Sequence, residues 1–257
     1  MKRFFRTPKG LLTIVFAPLL AVAIPYEGAG LVLPGVLAAC AAAMALDVVI
    51  LRLRTDAWVF PSGALLTALI VAMVLSPQEP WWVAAAASAI GVASKYVARV
   101  RTANVFNPAA LALVASYVLF QSGQSWWGAM TDAPIYAVAI LIATGVFISD
   151  RVNKMPMVLA FLGVYYSLFT ITAFVCDATP LVEIYRAPDL QMVLYFAFYM
   201  LTDPPTSPTR PRHQIITGVL VAVVSYAVFE LAGAVYYLLA GILAGNVWEA
   251  GRRLWWK

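Results

Sequence analysis

Apolar residues run in long blocks along this chain, and polar residues are confined to short intervals between the blocks. Segments such as 29–51 and 156–176 are apolar on all sides. They show neither the alternation of a half-buried strand nor the single stripe of a surface helix. About 20 such residues cross the hydrocarbon core as a helix, and lipid requires the backbone to pair with itself. The pattern predicts ten transmembrane helices, near 11–24, 29–51, 57–75, 81–98, 105–120, 133–149, 156–176, 189–202, 214–231 and 233–248. A β-barrel is excluded, because its strands would alternate lipid-facing and lumen-facing residues.

Composition agrees. The 257 residues are 63% apolar and 11% charged, with a mean hydropathy of +0.86, whereas soluble domains carry about 25% charged residues. The expected fold is an all-α integral membrane protein in a single transmembrane domain, 1–257, with connections too brief for a soluble domain.

Charge orients the spans. With the N-terminus in the cytoplasm, Lys2, Arg3, Arg6, Lys9, Arg52, Arg54, Lys95, Arg99, Arg101, Arg151, Lys154, Arg210, Arg212, Arg252, Arg253 and Lys257 all fall inside. Only Arg186 of the 17 basic residues falls outside, as the positive-inside rule requires. Both termini are therefore expected in the cytoplasm, and the chain in the inner (cytoplasmic) membrane. The net charge of +5 reflects topology, with lipid as the partner and no nucleic acid implied. The basic start and "AVA" at 21–23 resemble a signal peptide, but the charge sorting works with this segment kept as the first helix.

Ten spans divide into five and five, 1–125 and 126–257, which forces the second half into the opposite orientation. The third span, "PSGALLTALIVAMVLSP" from Pro61, and the eighth, "PDLQMVLYFAFYMLTDP" from Pro188, are alike in length and bounded by proline. Two inverted five-helix repeats are expected on this basis. Span three opens, and span eight closes, on the cytoplasmic side.

The polar residues in these spans suggest a site. Ser62 and Gly63 open span three, and Asn104 and Asn107 in "RTANVFNPAALALV" precede span five. Asp203 and Thr206 follow span eight, and Asn246 stands near the end of span ten. Each has an ordinary reading: Asn107 as a helix cap, Asn246 as a C-cap, Asp203 as a turn-former. Asn104 and Asn107 would share a helical face only if helix five began before Pro108. Together the residues lie at one depth on four spans, and amides with a carboxylate suit a planar heterocycle carrying donors and acceptors.

Other chemistries are excluded. The lone histidine, His213, cannot supply paired haem ligands. Cys40 and Cys176 form neither a disulfide framework nor a metal site, and no acidic residue lies at mid-membrane for a proton relay. No catalytic or metal-ligating residue is assigned. The tryptophans and tyrosines at span ends form an interfacial belt.

Four stretches carry a family resemblance: "SGALLTALIVAMVLSP" at 62–77, "NVFNPAALALV" at 104–114, "LTDPPTSPTRPRHQIITGVL" at 201–220 and "LLAGILAGN" at 238–246. In their order and spacing the chain resembles a short form of the RnfD/NqrB family, whose members belong to the Rnf electron-transport complex and the Na+-translocating NADH:quinone oxidoreductase. The resemblance implies electron transfer through a bound flavin, riboflavin or FMN, at Asn104, Asn107 and Asp203. It also implies a place among other redox or membrane subunits, with quinone as a possible acceptor. The family's S-(G/Q)-A-T motif for covalent FMN is absent from the loop at 121–132. Thr131 and Thr179 are the nearest threonines, and non-covalent flavin is expected. Two other readings are a small-solute channel or transporter of inverted-repeat type and a structural subunit without cofactor.

Overall fold

The computed structural model describes residues 7–56, 58–101, 103–134, 136–175 and 184–255. Lys2, Arg3, Arg6, Cys176, Thr179 and Lys257 lie outside the described residues. Among those described, a helix stands at each predicted segment: α1 Pro8–Glu27, α2 Ala29–Thr55, α3 Ser62–Val74, α4 Trp81–Val97, α5 Pro108–Phe120, α6 Tyr136–Arg151, α7 Met155–Val175, α8 Ala187–Tyr195, α9 Pro211–Ala232 and α10 Tyr237–Trp255. Four of these, α1, α2, α7 and α9, are long and apolar enough to cross a membrane. Large apolar side chains stand exposed on the helices, among them Phe174 at 83% and Leu231 at 87%, as lipid-facing surfaces require.

The chain divides into two compact units. The first comprises residues up to Arg99 together with Pro108–Ala133. Its core is α3, where every residue from Leu66 to Val74 is buried. The helix begins at Ser62, since Pro61 has no N–H to extend it backward, and its 13 residues span only about 20 Å. The end of so short a helix needs partners. The carbonyl of Val74 accepts from the N–H groups of Ser125 and Trp126 at 3.0 and 3.1 Å. That of Ala72 accepts from Trp127 Nε1 at 2.7 Å. At Gly91 on α4, a Cβ would stand 2.8 Å from the Pro108 carbonyl, so a side chain there would force the helices apart.

The second unit comprises Val100–Asn107 and Pro134–Lys257. A two-residue strand β1, Arg99–Val100, pairs with β2, Ala103–Asn104. Asn104 therefore lies on a strand and Asn107 just ahead of α5, so the two do not share a helical face. The Asn-Pro bond disfavours helix at Asn107.

α7 packs on α9, and α9 on α10. Glycines bring these backbones together, as small residues do where lipid removes the hydrophobic drive for association. A Cβ on Gly218 would meet the Met157 carbonyl at 2.5 Å, and one on Gly241 the Val221 carbonyl at 2.8 Å.

After Tyr195 the eighth segment widens into a π-helical turn, Phe196–Met200, all of it buried. The N–H of Leu201 reaches back to the carbonyl of Phe196 at 3.0 Å. The last helix runs on to Trp255, beyond the expected end at 248, so Asn246 sits inside α10 instead of capping it.

Candidate functional site

Residues 201–209 follow the π-helical turn and contain Pro204, Pro205 and Pro208. Proline has no N–H, so this loop can satisfy few of its carbonyls from within, and buried carbonyls require donors. Side chains from four places supply them. Asn107 Nδ2 donates to the Met200 carbonyl at 2.9 Å. Arg253 donates to those of Pro205 at 2.8 Å and Ser207 at 3.3 Å. Asn246 Nδ2 reaches the Thr206 carbonyl at 3.5 Å. Lys154 Nζ donates to Ser207 at 3.4 Å and to Pro208, and Gln214 Nε2 to Thr209 at 3.2 Å.

The sequence-predicted residues of this unit therefore meet in one knot. The N–H of Asn107 donates to Asn246 Oδ1 at 2.7 Å. Thr206 Oγ1 donates to Asp203 Oδ2 at 2.9 Å, and Ser207 Oγ to the Asp203 carbonyl at 2.7 Å, the local bonding that makes Asp, Ser and Thr turn-formers. Asn107 and Asn246 are buried, at 3% and 4% exposure, and the bonds just described engage both with the protein itself. Asn104 and Asp203 are half-buried. Ser62 and Gly63 belong to the first unit, where the Gly63 carbonyl accepts from Lys95 Nζ at 2.7 Å and Thr67 Oγ1 at 2.9 Å. Thr131 lies in a turn of that unit.

Four participants were missed by sequence reasoning: Lys154, Gln214, Glu249 and Arg253. Glu249 is 2% exposed and accepts from Arg252 Nε and Nη2 and from Arg253 Nε, each at 2.8 Å. A buried carboxylate needs such pairing. Lys154 and Arg253 carried only a topological meaning in the sequence. Prolines 204, 205 and 208 signal that donors are needed, but nothing in the spacing says which.

Lys154 lies in the connection between α6 and α7 and is 3% exposed. Burial pushes its ammonium down to about 8. Glu249 pulls it back up, Arg253 depresses it further and Asp203 raises it. A lysine depressed in the folded state binds its proton more readily when unfolded. Stability therefore rises with pH between about 8 and 10.5, and this gain is lost as pH falls through that window. Unfolding of the detergent-purified protein across the window should show this slope, and Lys154→Met should flatten it.

Beside the knot lies a cleft of about 420 Å³, lined by Arg101, Ala103, Pro204, Pro205, Glu249 and Arg252 among others.

These features define a multi-pass α-helical membrane protein with a buried polar knot holding a proline-rich loop. The family model for NQR2, RnfD and RnfE matches residues 6–137, just over half of the chain, and the chain belongs to that family. Among curated relatives, it is 31% identical over 130 residues to the D subunit of the ion-translocating oxidoreductase complex of Sodalis glossinidius (strain morsitans), covering 47% of this chain and 37% of that protein. It is 37% identical over 92 residues to the protein of the same name from Stutzerimonas stutzeri, covering 34% of this chain and 26% of the relative. The chain thus spans about a third of the length of the first relative and a quarter of the second. Ser62, Gly63, Asn104 and Asn107 lie within the family match; Asp203, Thr206 and Asn246 lie beyond it.

Proposed function

We propose that this protein is a flavin-bearing membrane subunit of an Rnf/NQR-like electron-transport system. In this reading ten spans cross the inner membrane with both termini in the cytoplasm, and other membrane subunits assemble around them. The carrying observation is the knot. Asn246, Lys154, Gln214 and Arg253 donate to one loop and Asn107 to the Met200 carbonyl just before it, fixing a wall against which a cofactor could be held without rearrangement. The relatives are subunits of ion-translocating oxidoreductases by name, which supports the assignment to electron transfer.

The fit to a flavin is at the half-buried residues. Asn104 and Asp203 would face the flavin, while Asn107, Thr206 and Asn246 act as positioning residues through the loop. The flavin supplies the electron chemistry, and the protein supplies position and electrostatics. The detergent-purified protein is expected to show a flavin absorption band, with the flavin released on denaturation because it is not covalently attached. Asn104→Leu, and Asp203→Asn, which keeps an acceptor for Thr206 Oγ1, should lower the bound flavin while the unfolding transition stays near wild type. A colourless protein that releases no flavin would overturn this reading. It would favour a structural subunit without cofactor, which the engagement of Asn107 and Asn246 by protein groups supports.

A further inference from the structure

We infer that the cleft beside the knot is a binding site for the phosphate headgroup of an anionic phospholipid. Three arginines line it, Arg101, Arg252 and Arg253, against the single carboxylate of Glu249. Formal charge there is +2, suited to a phosphate-bearing anion. Guanidinium groups are the side chains best shaped for phosphate oxygens, and the Glu249 carboxylate holds two of them in fixed orientation at 2.8 Å.

Arg101 adds a second observation. It is exposed and sits directly after β1 with φ 55°, a conformation that glycine or asparagine adopts more easily. Retaining a long cationic side chain at a strained backbone position points to a role for that side chain.

A lipid is favoured over a soluble anion by the surface around the cleft. Trp248, Arg252 and Trp255 stand four and three residues apart on α10, hence on one helical face. Trp248 is 48% exposed and Trp255 87%. An arginine flanked by exposed tryptophans is the side-chain pattern of the membrane interface, where the rings sit at headgroup level and the cation meets phosphate. Basic pockets at such helix ends hold anionic headgroups. At about 420 Å³, the cleft also has more room than a phosphate ion alone would fill. The cleft borders the proposed flavin residues, since Ala103 and Pro204 line it beside Asn104 and Asp203, but the lipid readout below requires no flavin.

The test is thermal unfolding of the detergent-purified protein with added phosphatidylglycerol, phosphatidylcholine or inorganic phosphate. Phosphatidylglycerol should raise the midpoint, while phosphatidylcholine and millimolar phosphate leave it unmoved. The doubly substituted Arg101→Gln/Arg252→Gln protein should need about thirtyfold more phosphatidylglycerol for the same shift, the effect of removing two cations from a headgroup site. Arg101→Gln alone leaves the Glu249 pairs intact and should show about fivefold. Arg151→Gln, which removes a positive charge outside the cleft, should respond like wild type. An equal response to phosphatidylcholine would overturn the inference. So would a midpoint shift with inorganic phosphate alone, or an Arg101→Gln protein that responds at the same phosphatidylglycerol concentration as wild type.

Discussion

Asn246→Leu is expected to destabilise the protein by about 2–4 kcal/mol, the cost of leaving two buried polar groups unpaired at about 1–2 kcal/mol each. The two groups are the N–H of Asn107, now 2.7 Å from Asn246 Oδ1, and the carbonyl of Thr206, now 3.5 Å from Nδ2. Leucine matches asparagine in shape well enough to fill the space, so the loss measures hydrogen bonding and not a cavity. Asn246→Asp separates the two halves of the contact. It keeps an acceptor for the Asn107 N–H but turns an oxygen toward the Thr206 carbonyl. It also buries an ionised carboxylate against that carbonyl, so the aspartate variant should be no more stable than leucine when unfolding midpoints are compared at pH 7. A leucine variant as stable as wild type would show that the knot holds nothing.

Gly218→Ala should cost about 1–3 kcal/mol or more through overpacking between α7 and α9. The new methyl would stand 2.5 Å from the Met157 carbonyl and 3.1 Å from the Phe161 nitrogen. Both are backbone atoms of α7, so relief requires the helices to separate, and no side-chain rotation can provide it. Gly163→Ala on α7 is the matched control. Nothing lies within 4 Å of its added methyl, and alanine is the better helix former by about 0.5–1 kcal/mol. The two glycine-to-alanine changes should therefore shift the unfolding midpoint in opposite directions. Equal effects would mean that contact distance between α7 and α9 does not limit stability.

Helix positions were legible because lipid imposes one simple rule, a continuous apolar run with an internally paired backbone. Their ends were less so, for reasons visible at particular residues. The third helix starts at Ser62 and not at 57, because Pro61 interrupts it. The tenth continues to Trp255, since Trp248, Arg252 and Trp255 suit an interface and a helix equally. In the candidate site, Asn107, Asp203, Thr206 and Asn246 were legible as polar residues at the ends of apolar runs, and in the second unit they meet.

Their bonding partners were not legible. The Met200 and Thr206 carbonyls carry no side-chain signature, and backbone acceptors are invisible to motif reasoning. Lys154 was hidden for another reason: a basic residue between two spans already had a sufficient explanation in topology. Ser62 and Gly63 were grouped with the amides by expected depth alone. In their own unit the carbonyl of Gly63 accepts from Lys95 and Thr67.

The widened turn at Phe196–Met200 fixes how the chain is phased where it enters the knot. Such a turn holds one residue more than an α-helical turn would, and each residue advances an α-helix by about 100°. Rewinding the same residues as ordinary α-helix would swing everything downstream by roughly that angle, whereas removing the one extra residue would keep the phase. In the first case Asp203 and the carbonyls of residues 205–209 would face away from Asn107, Asn246 and Lys154, although no residue had been altered. The winding between Tyr195 and Asp203 is thus as much a determinant of the site as the identity of the residues in it.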